Sequence, residues 1–171
     1  VAGVPVGEEL SDLAACTAYE GANPPVGARR LCGTPVRPGT DLGAETELGS
    51  IIVIVATDAP LLPHQLKRIA TRVALGVGRT GGTGGNGSGD IFVSFSTANA
   101  GAAASNDTTK VTLISNAAIS SLFSATIQAT EEAILNAMLA AETMTGANYL
   151  RVNGLPADRL TAILRKYGRL K

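Results

Sequence analysis

The chain has 171 residues, 45% of them hydrophobic and 16% charged, which fits one globular domain with an ample core. Lys plus Arg equals Asp plus Glu at 14 each, so no net field would draw the protein to nucleic acid or to an anionic membrane. With three Tyr, three Phe and no Trp the aromatics are too few for a base-stacking platform. The longest wholly apolar run, Ile51–Ala56, falls far short of the roughly 20 residues a membrane span needs.

Residues 1–49 contain Pro24, Pro25, Pro35 and Pro38 among frequent glycines, a composition that sustains neither a long helix nor a central strand. This stretch is predicted to be an extended linker with one short helix near Leu10–Ala18. Cys16 and Cys32 fit no metal spacing; they read as two unpaired thiols in a cytoplasmic protein, or as a disulfide if the protein is exported to the periplasm or secreted. Ile51–Ala56 is a continuous run dominated by β-branched residues, predicted to be a strand covered on both faces. Pro63 suits the first turn of a helix, and Leu66, Ile69, Ala70, Val73 and Val77 follow at helical spacing. After a glycine-rich loop at 78–89, Asp90–Ser96 alternates as a second strand, and Lys110–Ser115 reads as a third. Residues 117–145 carry a long helical pattern, in one helix or two end to end, with Gly146 as its stop. Pro156–Tyr167 is a final helix with Leu160, Ile163 and Leu164 inward, and the basic residues around it form a solvated face. Strands and helices are mixed, so the class is α+β or layered α/β.

The loop "GRTGGTGGNGSGD", residues 78–90, formally contains a dinucleotide-binding glycine pattern. A helix precedes it and a strand follows, the reverse of what phosphate binding requires, and no Gly-Lys-Ser/Thr completes a P-loop. Ser88 and Asp90 stand two apart where the loop meets the strand, so in extended chain both side chains share a face. They form a candidate proton relay. The chain's one histidine, His64, lies in the first turn of the predicted helix, where a structural role is the simpler reading.

Gly49-Ser50 precedes the first strand. A serine hydroxyl needs activation to act as a nucleophile. Scission of the Gly49–Ser50 bond would give Ser50 a free α-amine with a reference pKa of about 7.7–8.0, able to serve as base for its own side chain. The hydroxyl can make that cut itself by attacking the preceding carbonyl, which glycine leaves unshielded.

The stretches "GSIIVIVATDAPLLPHQLKRIATRVALGVGRTGG", "NGSGDIFVSFSTAN" and "QATEEAILNAMLAAETMTG" closely resemble the L-aminopeptidase/D-esterase family, which includes the β-aminopeptidases. The resemblance runs from Gly49 nearly to Lys171, and "GVPVGEEL" at 3–10 resembles the end of that family's α segment. It implies a four-layer α/β/β/α sandwich completed by an upstream α segment of the same gene product. Residues 1–49 would be the end of that segment and a linker, and 50–171 the β-chain catalytic domain, one domain overall. It implies self-cleavage between Gly49 and Ser50, with Ser50 as nucleophile, Ser88 as second serine and Asp90 at the position of the supporting acid, where the family usually has Glu. The implied activity is release of N-terminal residues from small peptides, amides or esters, with no metal or organic cofactor and with homo-oligomers of α/β pairs as the assembly. The family's oxyanion-binding Asn matches no residue of this sequence. Two alternatives stand beside this reading: a non-catalytic assembly or binding module that keeps the fold, and an acyltransferase of the similar ornithine acetyltransferase type, in which a Thr nucleophile is usual.

Overall fold

The computed structural model describes residues 1–26, 30–35, 49–104 and 107–171. In chain order its helices and strands are α1 (Val6–Glu9), β1 (Cys16–Thr17), β2 (Ile52–Thr57), α2 (Pro63–Arg79), β3 (Ile91–Ser96), α3 (Ser120–Ala140), β4 (Met144–Thr145), β5 (Leu150–Val152) and α4 (Ala157–Lys166). They fall into two compact units, one from Val1–Glu45 with Leu135–Lys171 and one from Thr46–Ile134.

The second unit is a β-α-β crossover. β2 and β3 pair in parallel, with Ile52 opposite Ile91 through to Thr57 opposite Ser96. α2 starts where Pro63 fixes the backbone at its first position. The fully buried Gln65 stitches that start down. Its Oε1 accepts from Leu62 N–H at 3.1 Å, and its Nε2 donates to Ile114 O at 2.9 Å. Leu61, Ile69 and Ile119 form the core beneath, with Val55, Leu66, Leu122 and Phe123 packed on it. The serines on the inward edge of β3 are satisfied by backbone carbonyls: Ser94 Oγ donates to Leu66 O and Ser96 Oγ to Ala59 O. α2 and α3 approach so closely that a Cβ on Gly76 would stand 2.6 Å from Thr130 Cβ.

Two expectations change here. Among the described residues β2 is covered on one face only: Ile52 and Ile54 of β2 are exposed, as are Ile91, Val93 and Phe95 of β3, all on one side of the sheet. Residues 110–115 are not a strand. Among the described residues no strand pairs with them, and they are held by isolated contacts such as Ile114 N–H to Pro60 O and Thr112 to the Asn99 side chain.

The other unit contains the antiparallel sheet β1-β5-β4, with Cys16 opposite Arg151 and Met144 opposite Val152. α4 lies against the N-terminal residues through Val4, Val6, Leu10, Leu160 and Ile163. The short helix expected near Leu10–Ala18 is instead α1, because Val6 and Leu10 are the residues that find this core; Ser11–Leu13 is a single 3-10 turn and Cys16 begins a strand. Exposed ion pairs lace the same junction. Lys166 and Tyr167 donate to Glu9, and Arg159 grips Asp12 with bonds of 2.7 and 2.9 Å. The bonds from Lys166 and Tyr167 hold the Glu9 carboxyl below its ordinary range, and the Arg159 fork does the same for Asp12. The long helical pattern ends at Ala140 rather than at Gly146, as the chain turns into β4.

The cysteines are paired, which overturns the reading of two free thiols. Thr17 N–H bonds Arg30 O and Cys32 N–H bonds Thr17 O, so the segment carrying Cys32 runs beside β1. Arg30 reinforces this by donating to Ala14 O and Thr34 O. The Cys16 and Cys32 Cα atoms are thereby 5.0 Å apart and a disulfide joins them. Among the described residues no helix is long and apolar enough to cross a membrane.

Candidate active site

The parallel register decides what meets Ser50. Extending the Ile52–Ile91 pairing back along both strands brings Ser50 alongside Gly89, at the mouth of the glycine loop. Gly89 N–H donates to Ser50 Oγ at 3.0 Å. A Cβ on Gly89 would lie 3.1 Å from that oxygen, a tight contact that Ser50 would have to yield to by a few tenths of an ångström. Gly49, by contrast, has open space around it, and Ser50 itself is exposed.

Ser88 and Asp90 flank Gly89 and are half-buried. Ser88 Oγ donates to Asp90 Oδ1 at 2.5 Å, and the same oxygen accepts Ile51 N–H at 3.1 Å. Asp90 therefore links the loop serine to the peptide immediately after Ser50. Ile91 N–H then bonds Ile51 O at 3.0 Å and begins the ladder. The three residues singled out in the sequence, Ser50, Ser88 and Asp90, are thus gathered at one end of the β2–β3 pair. A hydroxyl at a strand start, with a backbone donor aimed at it and a hydroxyl–carboxylate pair alongside, is a set of groups suited to nucleophilic chemistry with proton transfer.

Two members of this set were not visible in the sequence. The Gly89 and Ile51 amides carry no side-chain signal, and only the strand register reveals them. His64 stands exposed in the first turn of α2, and no hydrogen bond joins it to Ser50, Ser88 or Asp90. The half-open apolar cavity of about 140 Å³ lined by Val55, Leu61, Leu122 and Ala129 has none of the three residues on its wall.

The fold is one shared with the Ntn hydrolases. The L-aminopeptidase D-Ala-esterase/amidase from Ochrobactrum anthropi, described as a prototype for the serine aminopeptidases and a new variant among the Ntn hydrolase fold, aligns over 100% of this chain and 40% of its own, with a TM-score of 0.73 and 39% identity. A β-aminopeptidase from a Burkholderia species aligns over 74% of this chain and 37% of its own, with a TM-score of 0.63 and 43% identity. The profile of Peptidase family S58 matches residues 1–152, and the chain belongs to that family. The β-peptidyl aminopeptidase BapA of Sphingosinicella microcystinivorans is 48% identical over 171 residues, which is 99% of this chain and 40% of that protein. The BapA of Sphingosinicella xenopeptidilytica is 40% identical over 96% of this chain and 38% of its own length. The chain spans about two fifths of the curated relatives it matches.

Proposed function

We propose that this chain carries the nucleophile of a self-processing serine aminopeptidase, which cuts the Gly49–Ser50 bond and then releases N-terminal residues from small peptides, amides or esters. The observation that carries the reading is the hydrogen-bonded set ending at Ser50: Gly89 N–H on its Oγ, and Asp90 bonded both to Ser88 and to the Ile51 amide. The names of the relatives support the reaction class.

In this reading Ser50 Oγ first attacks the Gly49 carbonyl, the Gly49–Ser50 C–N bond breaks to leave an ester and the free Ser50 amine, and water hydrolyses the ester to release the Gly49 carboxylate and restore the hydroxyl. That amine, with a reference pKa of about 7.7–8.0, then takes the hydroxyl proton as Oγ attacks a substrate carbonyl. Ser88, polarised by Asp90, carries a proton toward the leaving amine. The Gly89 N–H, bonded to Ser50 Oγ at 3.0 Å, orients the hydroxyl at the head of the strand for that attack. Water finally hydrolyses the acyl-enzyme.

The exposed apolar face of Ile52, Ile54, Ile91, Val93 and Phe95 supports a sandwich in which a second sheet, supplied by an upstream α segment of the gene product, covers it. Residues 50–171 would then be the β chain, in homo-oligomers of α/β pairs. The Cys16–Cys32 bond supports an oxidising compartment over the cytoplasm.

The test is turnover of aminoacyl-p-nitroanilides bearing L-, D- and β-residues. Ser50→Ala should abolish it, whereas His64→Ala should keep most of it. Near-total loss in His64→Ala would instead favour a Ser-His triad.

A further inference from the structure

The loop at the site contains an element that the reading above leaves unused. Asn86-Gly87 occupies the centre of a turn closed by Ser88 N–H to Gly85 O at 3.0 Å. Both residues are exposed, and the Gly87 N–H has no hydrogen-bond partner among the described residues. The chain holds a second Asn-Gly pair, at Asn153-Gly154, in the opposite condition. Asn153 Nδ2 donates to Leu13 O at 3.0 Å, and Gly154 N–H donates to Thr143 Oγ1 at 3.0 Å. Both residues of that pair are half-buried, and a Cβ on Gly154 would lie 2.7 Å from Ala141 O.

We propose that Asn86-Gly87 is a spontaneous deamidation site whose isoaspartyl product displaces the Ser88–Asp90 pair beside Ser50. The Gly87 amide nitrogen, once deprotonated, attacks Asn86 Cγ. A C–N bond forms, the Cγ–Nδ2 bond breaks, ammonia leaves and a succinimide remains. Water then opens the ring at one carbonyl or the other, leaving an aspartyl or an isoaspartyl linkage at position 86. The reaction needs a free, unshielded amide after the asparagine and a side chain able to fold onto it. Asn86 meets both conditions. Asn153 meets neither, because its side chain and the next amide are each committed elsewhere.

The consequence follows from position. An isoaspartyl linkage adds one carbon to the main chain inside the turn that Ser88 N–H closes onto Gly85 O. The lengthened turn no longer closes with the same geometry, and Ser88, which both closes it and bonds Asp90, is displaced with it. This second half rests on the proposed role of Ser88; the first half does not.

The test incubates the intact protein, expressed from its full gene, at neutral and mildly alkaline pH in H₂¹⁸O. Peptide mapping reads solvent oxygen incorporated at positions 86 and 153, and isoaspartyl methylation distinguishes the two products. Conversion should be confined to position 86 and quicken with pH, and kcat/KM should fall in step with the isoaspartyl fraction. Asn86→Gln should begin at wild-type activity and hold it through the same incubation. An unconverted position 86, equal conversion at 153, or full isoaspartyl conversion with unchanged kcat/KM would each overturn the proposal. Failure of the Ser50 reading shows separately, as inactivity before any incubation, while the mapping still reads the chemistry at position 86.

Discussion

Asp90 is the residue through which the proposed mechanism is most exposed to refutation. Its Oδ1 holds two partners, Ser88 Oγ at 2.5 Å and Ile51 N–H at 3.1 Å, and so joins the proton carrier to the peptide that fixes the nucleophile. A hydrogen bond to a charged group contributes about 1.5–3 kcal/mol. If both matter at the transition state, Asp90→Ala loses about 3–6 kcal/mol, or about 10²–10⁴ in kcat/KM. Asp90→Asn keeps an acceptor oxygen but no charge, and neutral bonds are weaker by roughly half, so its loss should be about 10–10². Asp90→Glu has the same charge on a stem one methylene longer, and should lie closest to wild type. The assay is initial-rate kinetics on aminoacyl-p-nitroanilides, with thermal melts to confirm that each variant folds. The loss should fall on kcat, because Asp90 acts through Ser88 and Ser50 rather than on bound substrate. A folded Asp90→Ala protein with wild-type kcat/KM would refute the relay.

Other consequences concern the fold. The Cys16–Cys32 bond closes a loop with a sequence separation of 16; replacing both cysteines by serine should destabilise the protein by about 2–4 kcal/mol in denaturant titration, and thiol reagents should find no free cysteine in the unreduced protein. The depressed Glu9 carboxyl gives a pH signature. Its contribution is fully present above the ordinary Glu range and is lost as pH falls through the lower folded value. Glu9→Gln should therefore lower the melting temperature near neutrality, and the difference from wild type should vanish in acid; a constant difference at all pH values would contradict the ion-pair account.

Much of the crossover was legible in the sequence because its signals are local. The Ile51–Ala56 run, Pro63 at a helix start and the alternation of Ile91, Val93 and Phe95 each announce an element without reference to anything distant. β1, β4 and β5 escaped notice because strands of two or three residues cannot display alternation. β1 and β5 also pair across more than a hundred residues of chain. Residues 110–115 have strand-like composition, but composition cannot supply a neighbouring strand. Ser50, Ser88 and Asp90 could be singled out because hydroxyls and carboxylates mark themselves. Gly89 is different: its contribution is an N–H that every residue but proline has, and only the register of β2 against β3 shows that it meets Ser50 Oγ. The disulfide was ambiguous for the same kind of reason, since the contact of Thr17 with the segment around Leu31 is what brings Cys32 alongside.

The central claim is that a new amino terminus makes Ser50 reactive. N-terminal sequencing of the purified protein, paired with its intact mass, tests it most directly. The wild type should yield a second sequence beginning Ser-Ile-Ile-Val-Ile at Ser50, and Ser50→Ala should yield none. Active protein in which the Gly49–Ser50 bond remains whole would contradict the account.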